Sequence, residues 1–439
     1  MAKLRPIRPP SDEDSPASSG SFFRWLWPGS AMSATMPALR SRDFRLFWFG
    51  QLVSLSGTWI QSVAQQWLVL KLTGSAFDLG LVTTVQFTPL LLISLISGAV
   101  ADRVSKRNLL LVTQVISGLL AVLLGMLVAT GTVQYWHVLV IAGMLGTVNA
   151  FYTPARQAFV PELVEKDALM NAIALNSAIF NAARVVGPAI GGILIASLGL
   201  SLNFFLNAAS YLAVIASLLL IRPRPVEASR KEERLLQNVA EGLQYIMATP
   251  VVLTILSLVG VASLFALNFT TLMPVFARFV LHVGSDGYGF LMASMGVGSL
   301  AGAISLAFFN RRSLTRIFIY AGAIALTIFE TIFALSRIYP LSVGLLVIVG
   351  LSSTLFTTTA NTRILSLTPS HLQGRVMSVY SLMFLGMTPF GSFLAGLVAQ
   401  HFGAPTALIA GAIITFIFTL AMFMYRRGHR TPEPATATS

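Results

Sequence analysis

Five polar residues recur along one otherwise apolar stretch: Gln51, Ser54, Thr58, Gln61 and Gln65, spaced three, four, three and four. On a helix that spacing puts all five on one face. Amides and hydroxyls of this kind can hydrogen-bond a neighbouring helix or hold a polar small molecule, and neither group tolerates lipid. Substrate contact is the favoured use and interhelical bonding the alternative. Asn149 and Tyr152, Asn268, and Asn361 stand in three further apolar runs as candidates for the same cavity. Two ionisable groups lie well inside such runs. Arg184 is roughly 20 Å into its helix at 1.5 Å per residue, and a charge at that depth is functional by default. It either attracts anionic cargo or locks nearby carbonyls, with the lock favoured because a packing motif adjoins it. Glu330 is the one acid well inside a run. A carboxyl at that depth could carry a proton, although its run is a poor position for it, or it could snorkel or pair with Arg337.

The elements that must carry these residues follow from composition. Of 439 residues, 55% are hydrophobic and 10% charged, against roughly 25% charged in soluble domains. Such a chain cannot cover itself with polar surface, so it is an all-α integral membrane protein. A span needs about 20 apolar residues. Runs of that kind number twelve, at 46–70, 77–101, 108–130, 135–152, 171–198, 203–221, 250–277, 289–309, 316–336, 341–361, 374–400 and 405–425. Sorting the loops by side places 25 of the 29 Lys and Arg residues on one face. The other face has Lys71, Arg278 and Arg337, and Arg184 lies within a span. The positive-inside rule makes that basic face, with both termini, cytoplasmic. The net charge of +13 is therefore read as an orientation signal, not as a nucleic-acid surface.

Boundaries follow. Residues 1–41, polar and without the apolar core of a signal peptide, read as a disordered cytoplasmic tail. Two six-helix halves occupy 42–221 and 250–425. The linker 222–249 contains an interfacial helix whose apolar stripe is Leu236, Val239, Leu243 and Ile246, and 426–439 is a cytoplasmic tail. The absence of cysteine removes disulfides and thiolate chemistry. No phosphate-binding Gly-x-x-x-x-Gly-Lys-Ser/Thr occurs, nor a hydrolytic or metal-ligating cluster. No cofactor, metal or enzymatic activity is expected.

The halves echo each other. Gly98-Ala-Val-Ala-Asp102-Arg103-Val-Ser-Lys106-Arg107 forms a charged corner between the second and third runs. Arg311-Arg312-Ser-Leu-Thr-Arg316 returns its basic part half a chain later, with Arg311 where Asp102 stands. Asp78-Leu-Gly80 and Tyr288-Gly289-Phe open corresponding runs. Gly187-Pro188…Gly191-Gly192 is matched by Pro389-Phe-Gly391…Gly396. Small residues at such intervals let helices approach closely.

On these residues the chain resembles the major facilitator superfamily, whose halves are parallel six-helix repeats. Gly98, Asp102, Arg103, Lys106 and Arg107 match its signature corner, with Ser105 where Gly is usual. The resemblance implies a cytoplasmic gate there, Asp102 resting on a helix N-terminus of the other half, with Arg311 and Arg312 as the second-half counterpart. Arg184, Gly187, Pro188, Gly191 and Gly192 resemble the exporter signature of the fifth helix. With Thr58-Trp59…Trp67 and Pro154-Ala-Arg-Gln…Pro161-Glu-Leu, they resemble the secretion-effector branch that includes enterobactin exporters and macrolide efflux pumps. That resemblance implies a monomeric secondary transporter in the cytoplasmic membrane. It would export a small organic compound, drug- or siderophore-like, by alternating access coupled to protons. An uptake symporter of the same fold and a non-transporting membrane sensor or scaffold are the alternatives.

Overall fold

Inside a bilayer each backbone N–H and C=O must be satisfied within its own segment, so the apolar runs become helices. The computed structural model describes residues 36–222, 235–308 and 315–428. The first half comprises Arg42–Thr73, Ala76–Arg103, Lys106–Ala129, Tyr135–Phe159, Leu169–Leu198 and Leu200–Leu220. The second comprises Pro250–Phe265 continued by Phe269–Val275, then Ser285–Phe308, Thr315–Leu335 and Tyr339–Leu367. It ends with Gln373–Phe384 continued by Thr388–Phe402, and with Ala404–Gly428. No strand occurs among the described residues.

Eleven of these twelve spans are long and apolar enough to cross a membrane on composition alone. The remaining one is the first, where the polar series Gln51, Ser54, Thr58, Gln61, Gln65 and Gln66 dilutes a 32-residue helix. Its neighbours bury Gln51, Ser54, Gln61 and Gln65. The tail of residues 1–35 and the segment 429–439 lie outside the described residues.

Local chemistry sets where helices stop. The first span ends at Gly74, whose φ of 65° is a left-handed cap open to glycine. The second restarts at once because Ser75 Oγ accepts from Asp78 N at 3.1 Å. Ser105 begins the third span with φ of −58°, so this corner requires no glycine. The seventh span breaks at Ala266–Asn268 and the eleventh at Leu385–Met387. Both breaks fall midway along their spans, in the position of the discontinuous helices that line transporter sites.

Two ends can be distinguished, one with short turns such as Gly74, Gly199 and Gly403, and one carrying the basic connections. At the turn end a single apolar core runs through both halves, from Val63, Leu79 and Phe204 to Phe269, Leu291 and Leu346. At the basic end there are two separate cores. Phe44, Phe47, Phe159 and Leu218 belong to one half, and Leu256, Phe356, Ile364 and Val376 to the other.

Four helices make the junction at the turn end, the fifth against the eighth and the second against the eleventh. A Cβ on Gly192 would stand 2.8 Å from Gly289 Cα, and one on Gly80 would stand 3.0 Å from Gly396 Cα. The two crossings are equivalent under the internal repeat. Thr84 Oγ1 donates to Pro389 O at 2.9 Å and Ala76 N to Gln400 Oε1 at 3.0 Å across the same seam. Pro188 sits in the middle of the crossing on the fifth helix, with its carbonyl against Gly289.

The linker helix is Leu235–Ala248, but its packed side differs from the expected stripe. Ile246 is buried, whereas Leu243 and Met247 are exposed. Gly242 allows Arg375 to approach, Glu241 pairs with Arg375, and Tyr245 donates to Leu367 O at 2.7 Å. Polar anchoring to the start of the eleventh span, rather than the apolar period, sets the helix rotation. The side chains of Leu236 and Val239 lie outside the described residues.

Candidate functional site

A cavity of about 350 Å³ lies between the halves, below the turn-end seam, within the usual size range of ligand sites. Trp59, Ser62, Gln65, Gln66, Thr83 and Gln86 line it from the first two spans, and Arg184 from the fifth. The second half adds Ser263, Asn268, Thr271, Met292, Met295, Ser353, Thr357 and Thr388. Its walls are amides, hydroxyls, aromatics and thioethers. Among the described residues, no Asp or Glu lines it.

The expected amide face of the first span divides. Gln65 reaches the cavity and donates to Gln86 Oε1 at 3.2 Å. Gln51, Ser54 and Gln61 do not line it. Gln61 Oε1 accepts from Asn207 Nδ2 of the sixth span at 2.7 Å, and Gln51 Oε1 from Tyr152 Oη of the fourth at 2.8 Å. Gly57 brings the sixth span close enough that a Cβ would strike Ser210 and Asn207. Thr58 is exposed, its hydroxyl bonded back to Ser54 O at 2.9 Å. Two of the five positions, Gln51 and Gln61, thus bond neighbouring helices, the use held as the alternative in the sequence.

The side of the helix bearing Trp59, Ser62 and Gln66 was missed. Its signal was present as an aromatic and two polar residues at spacings of three and four, but the longer amide series obscured it. Gln66 does more than line the cavity, because its Oε1 accepts from Tyr288 Oη of the other half at 2.7 Å. Trp67 stacks on Tyr288 at 5.8 Å. This contact joins the two halves beside the cavity-lining Gln66.

Asn268 lies at the break in the seventh span, 5% exposed and lining the cavity. Its Nδ2 bonds to Ser263 O and its Oδ1 accepts from Ser392 Oγ at 3.2 Å. Asn149 is exposed, and Tyr152 and Asn361 are half-buried; none of the three lines the cavity. Tyr152 stays with its own half, its ring 5.8 Å from the Arg156 guanidinium carbon.

Arg184 stands halfway along the fifth helix, half-buried, with its side chain on the cavity. It makes no ion pair or hydrogen bond to the described residues, so the expected lock on neighbouring carbonyls is not formed. Gly187 and Gly191 beside it accommodate Trp59 and Ile60 of the first span, and Gly192 accommodates Gly289. The motif therefore aligns the wall on which Arg184 is mounted.

Glu330 is 1% exposed and neither carboxylate oxygen has a hydrogen-bond partner. It neither snorkels nor meets Arg337, whose Nη1 donates to Ala334 O and Ser336 O. The ninth helix packs against the tenth and twelfth and contributes nothing to the cavity lining.

At the charged corner, Lys106 Nζ pairs with Glu162 at 2.5 Å, and Arg107 donates from Nε to Leu218 O at 2.5 Å and from Nη2 to Leu219 O at 3.2 Å. These contacts tie the corner to the end of the fourth span and the C-terminus of the sixth, where a cation is favoured. Both are within the first half. A Cβ on Gly98 would meet no neighbour within 4 Å. The side chains of Asp102 and Arg103, and all of Arg311 and Arg312, lie outside the described residues.

The model of the transmembrane secretion effector family matches residues 33–434. The chain belongs to that family. It is a membrane transporter of the major facilitator type. It is 28% identical over 392 residues to the multidrug efflux pump Tap of Mycolicibacterium fortuitum, covering 87% of this chain and 95% of that one. The staphyloferrin A transporter of Staphylococcus aureus is also 28% identical, over 87% of this chain and 96% of its own. Among solved structures, a bacterial homolog of the human lysosomal transporter Spinster, inward-facing and occupied, superposes with a TM-score of 0.74. It covers 91% of this chain and 99% of that one at 14% identity, a likeness of fold.

Proposed function

We propose that the chain exports a small organic compound, drug- or siderophore-like, by alternating access in the cytoplasmic membrane, with the basic end and both termini facing the cytoplasm. The observation that carries this reading is the division of the core. The halves share one core at the turn end and keep two at the basic end, with a polar cavity between. That arrangement belongs to a molecule closed outward and open inward. The positive-inside charge distribution supports the orientation, and the names of the pump and siderophore relatives support the cargo class.

During turnover the turn-end seam opens and the basic end closes. Lys106 and Arg107 tie the 98–107 corner to its own half, and when the basic end closes Asp102 latches onto a helix N-terminus of the other half. Export is coupled to inward proton flow. Glu330, buried and unpartnered, is the candidate proton carrier, acting from outside the cavity through helix packing. The transporter works as a monomer.

The test is transport in everted vesicles with an imposed pH gradient. Cargo should accumulate inside while protons leave. Accumulation in the same direction as the protons would make the chain an uptake symporter and end the export reading. Asp102→Asn should insert and fold normally while turnover falls at least about tenfold; undiminished transport would make the corner a topology signal only.

A further inference from the structure

Among the described residues lining the cavity, Arg184 is the only charged one. No described residue neutralises it, and no acid among the described residues lines the space it faces. A cation at the centre of a span is costly, and close packing of the fifth helix does not require one, since Gly187, Gly191 and Gly192 supply that contact. We infer that the cavity binds an organic anion, with Arg184 as its charge-bearing contact and the aromatic and thioether walls holding an apolar body. The inference rests on the transport reading and names the cargo class for the same site.

The chemistry is selective in sign. A guanidinium offers a planar fork of N–H donors that matches a carboxylate in two parallel hydrogen bonds. A cationic compound brought into the same space would meet a like charge with no carboxylate to offset it, in surroundings where Coulomb terms are strengthened. Gln65, Gln66, Gln86 and Asn268 can hydrogen-bond further oxygens on the cargo. Trp59, Phe87, Phe269 and Phe384, with Met292 and Met295, favour an aromatic or aliphatic remainder. The cargo class is thus an amphipathic carboxylate or comparable oxyanion.

Three probes of one shape separate the alternatives: 1-naphthoate, 1-naphthamide and 1-naphthylmethylammonium. Equilibrium dialysis against the full chain in detergent should rank naphthoate first by at least about tenfold, the discrimination expected of a charge-assisted pair. Arg184→Gln should erase that ranking while keeping the elution volume and Tm of the parent, and Arg184→Lys should restore part of it. Equal binding of the three probes, preference for the ammonium, or no binding of any probe at millimolar concentration overturns the inference. So does an Arg184→Gln variant that still prefers naphthoate. Everted vesicles loaded from outside with the same probes decide the transport reading separately. Uptake of the neutral or cationic probe in equal measure leaves export standing and removes the anion. Preferential naphthoate binding without vesicle uptake of any probe keeps the anion site and removes export.

Discussion

On the first span, the side carrying Ser54, Gly57 and Gln61 and the side carrying Trp59, Ser62 and Gln66 resemble each other in polarity but touch different things. The former meets the sixth helix, where Asn207 and Ser210 answer Gln61 and Gly57. The latter faces the cavity and, through Gln66, the other half of the molecule. Polarity in a membrane helix therefore has two origins. One kind of polar residue joins helices of one half, and the other lines the cavity or reaches across to the opposite half. Interhelical hydrogen bonds in membranes contribute only about 0.6 kcal/mol on average, so the two kinds cannot be told apart by strength. They differ in whether the partner belongs to the same rigid half.

Substitutions can break that distinction, and the largest effect is expected at Gly57. A leucine there would drive its branch into Ser210 and Asn207, and overpacking costs about 1–3 kcal/mol before the bulk beyond Cβ is counted. Gly57→Leu should remove the monodisperse peak in size-exclusion chromatography. A well-folded variant would show that the first and sixth helices separate readily, and the contrast would fail.

Next in size, the double variant Trp59→Ala with Gln66→Leu should lower transport about tenfold or more, while moving Tm by less than the Gly57 change. Normal transport would take this side of the helix out of the cargo path. The smallest effect belongs to Gln61→Leu, which leaves Asn207 with one partner fewer. It should lower stability by about 1 kcal/mol, and Asn207→Leu in the same chain should recover part of the loss, as a double-mutant cycle would read. Unchanged Tm with altered cargo affinity would instead place Gln61 on the cargo side.

The sequence carried the architecture further than the site. The repeat singled out the small residues on four helices as equivalents, Gly80 with Gly289 and Gly187…Gly192 with Gly391…Gly396. That Gly192 meets Gly289 and Gly80 meets Gly396 across the seam was decided by the structure, where only small residues allow helices that close. The amide series misled for a definite reason. At about 100° of turn per residue the five positions share one narrow face, so rotation cannot separate them; which one meets the cavity depends on its height along the helix and on the neighbour at that level, the fourth span for Gln51 and the sixth for Gln61. Glu330 was legible as an anomaly, but its burial without Arg337 depended on Arg337 turning to the carbonyls of Ala334 and Ser336.

By itself the sequence determined that the chain is a twelve-span, duplicated membrane protein whose lysines and arginines gather in one set of loops. Those properties are sums along the chain, of apolar length against bilayer thickness and of charge per loop, and they need no knowledge of helix rotation. Only the tertiary structure decided which polar side chains share a cavity and which fasten helices to one another. It alone left Arg184 facing the cavity with no counter-charge among the described residues, because a partner's absence depends on how every neighbouring helix is turned.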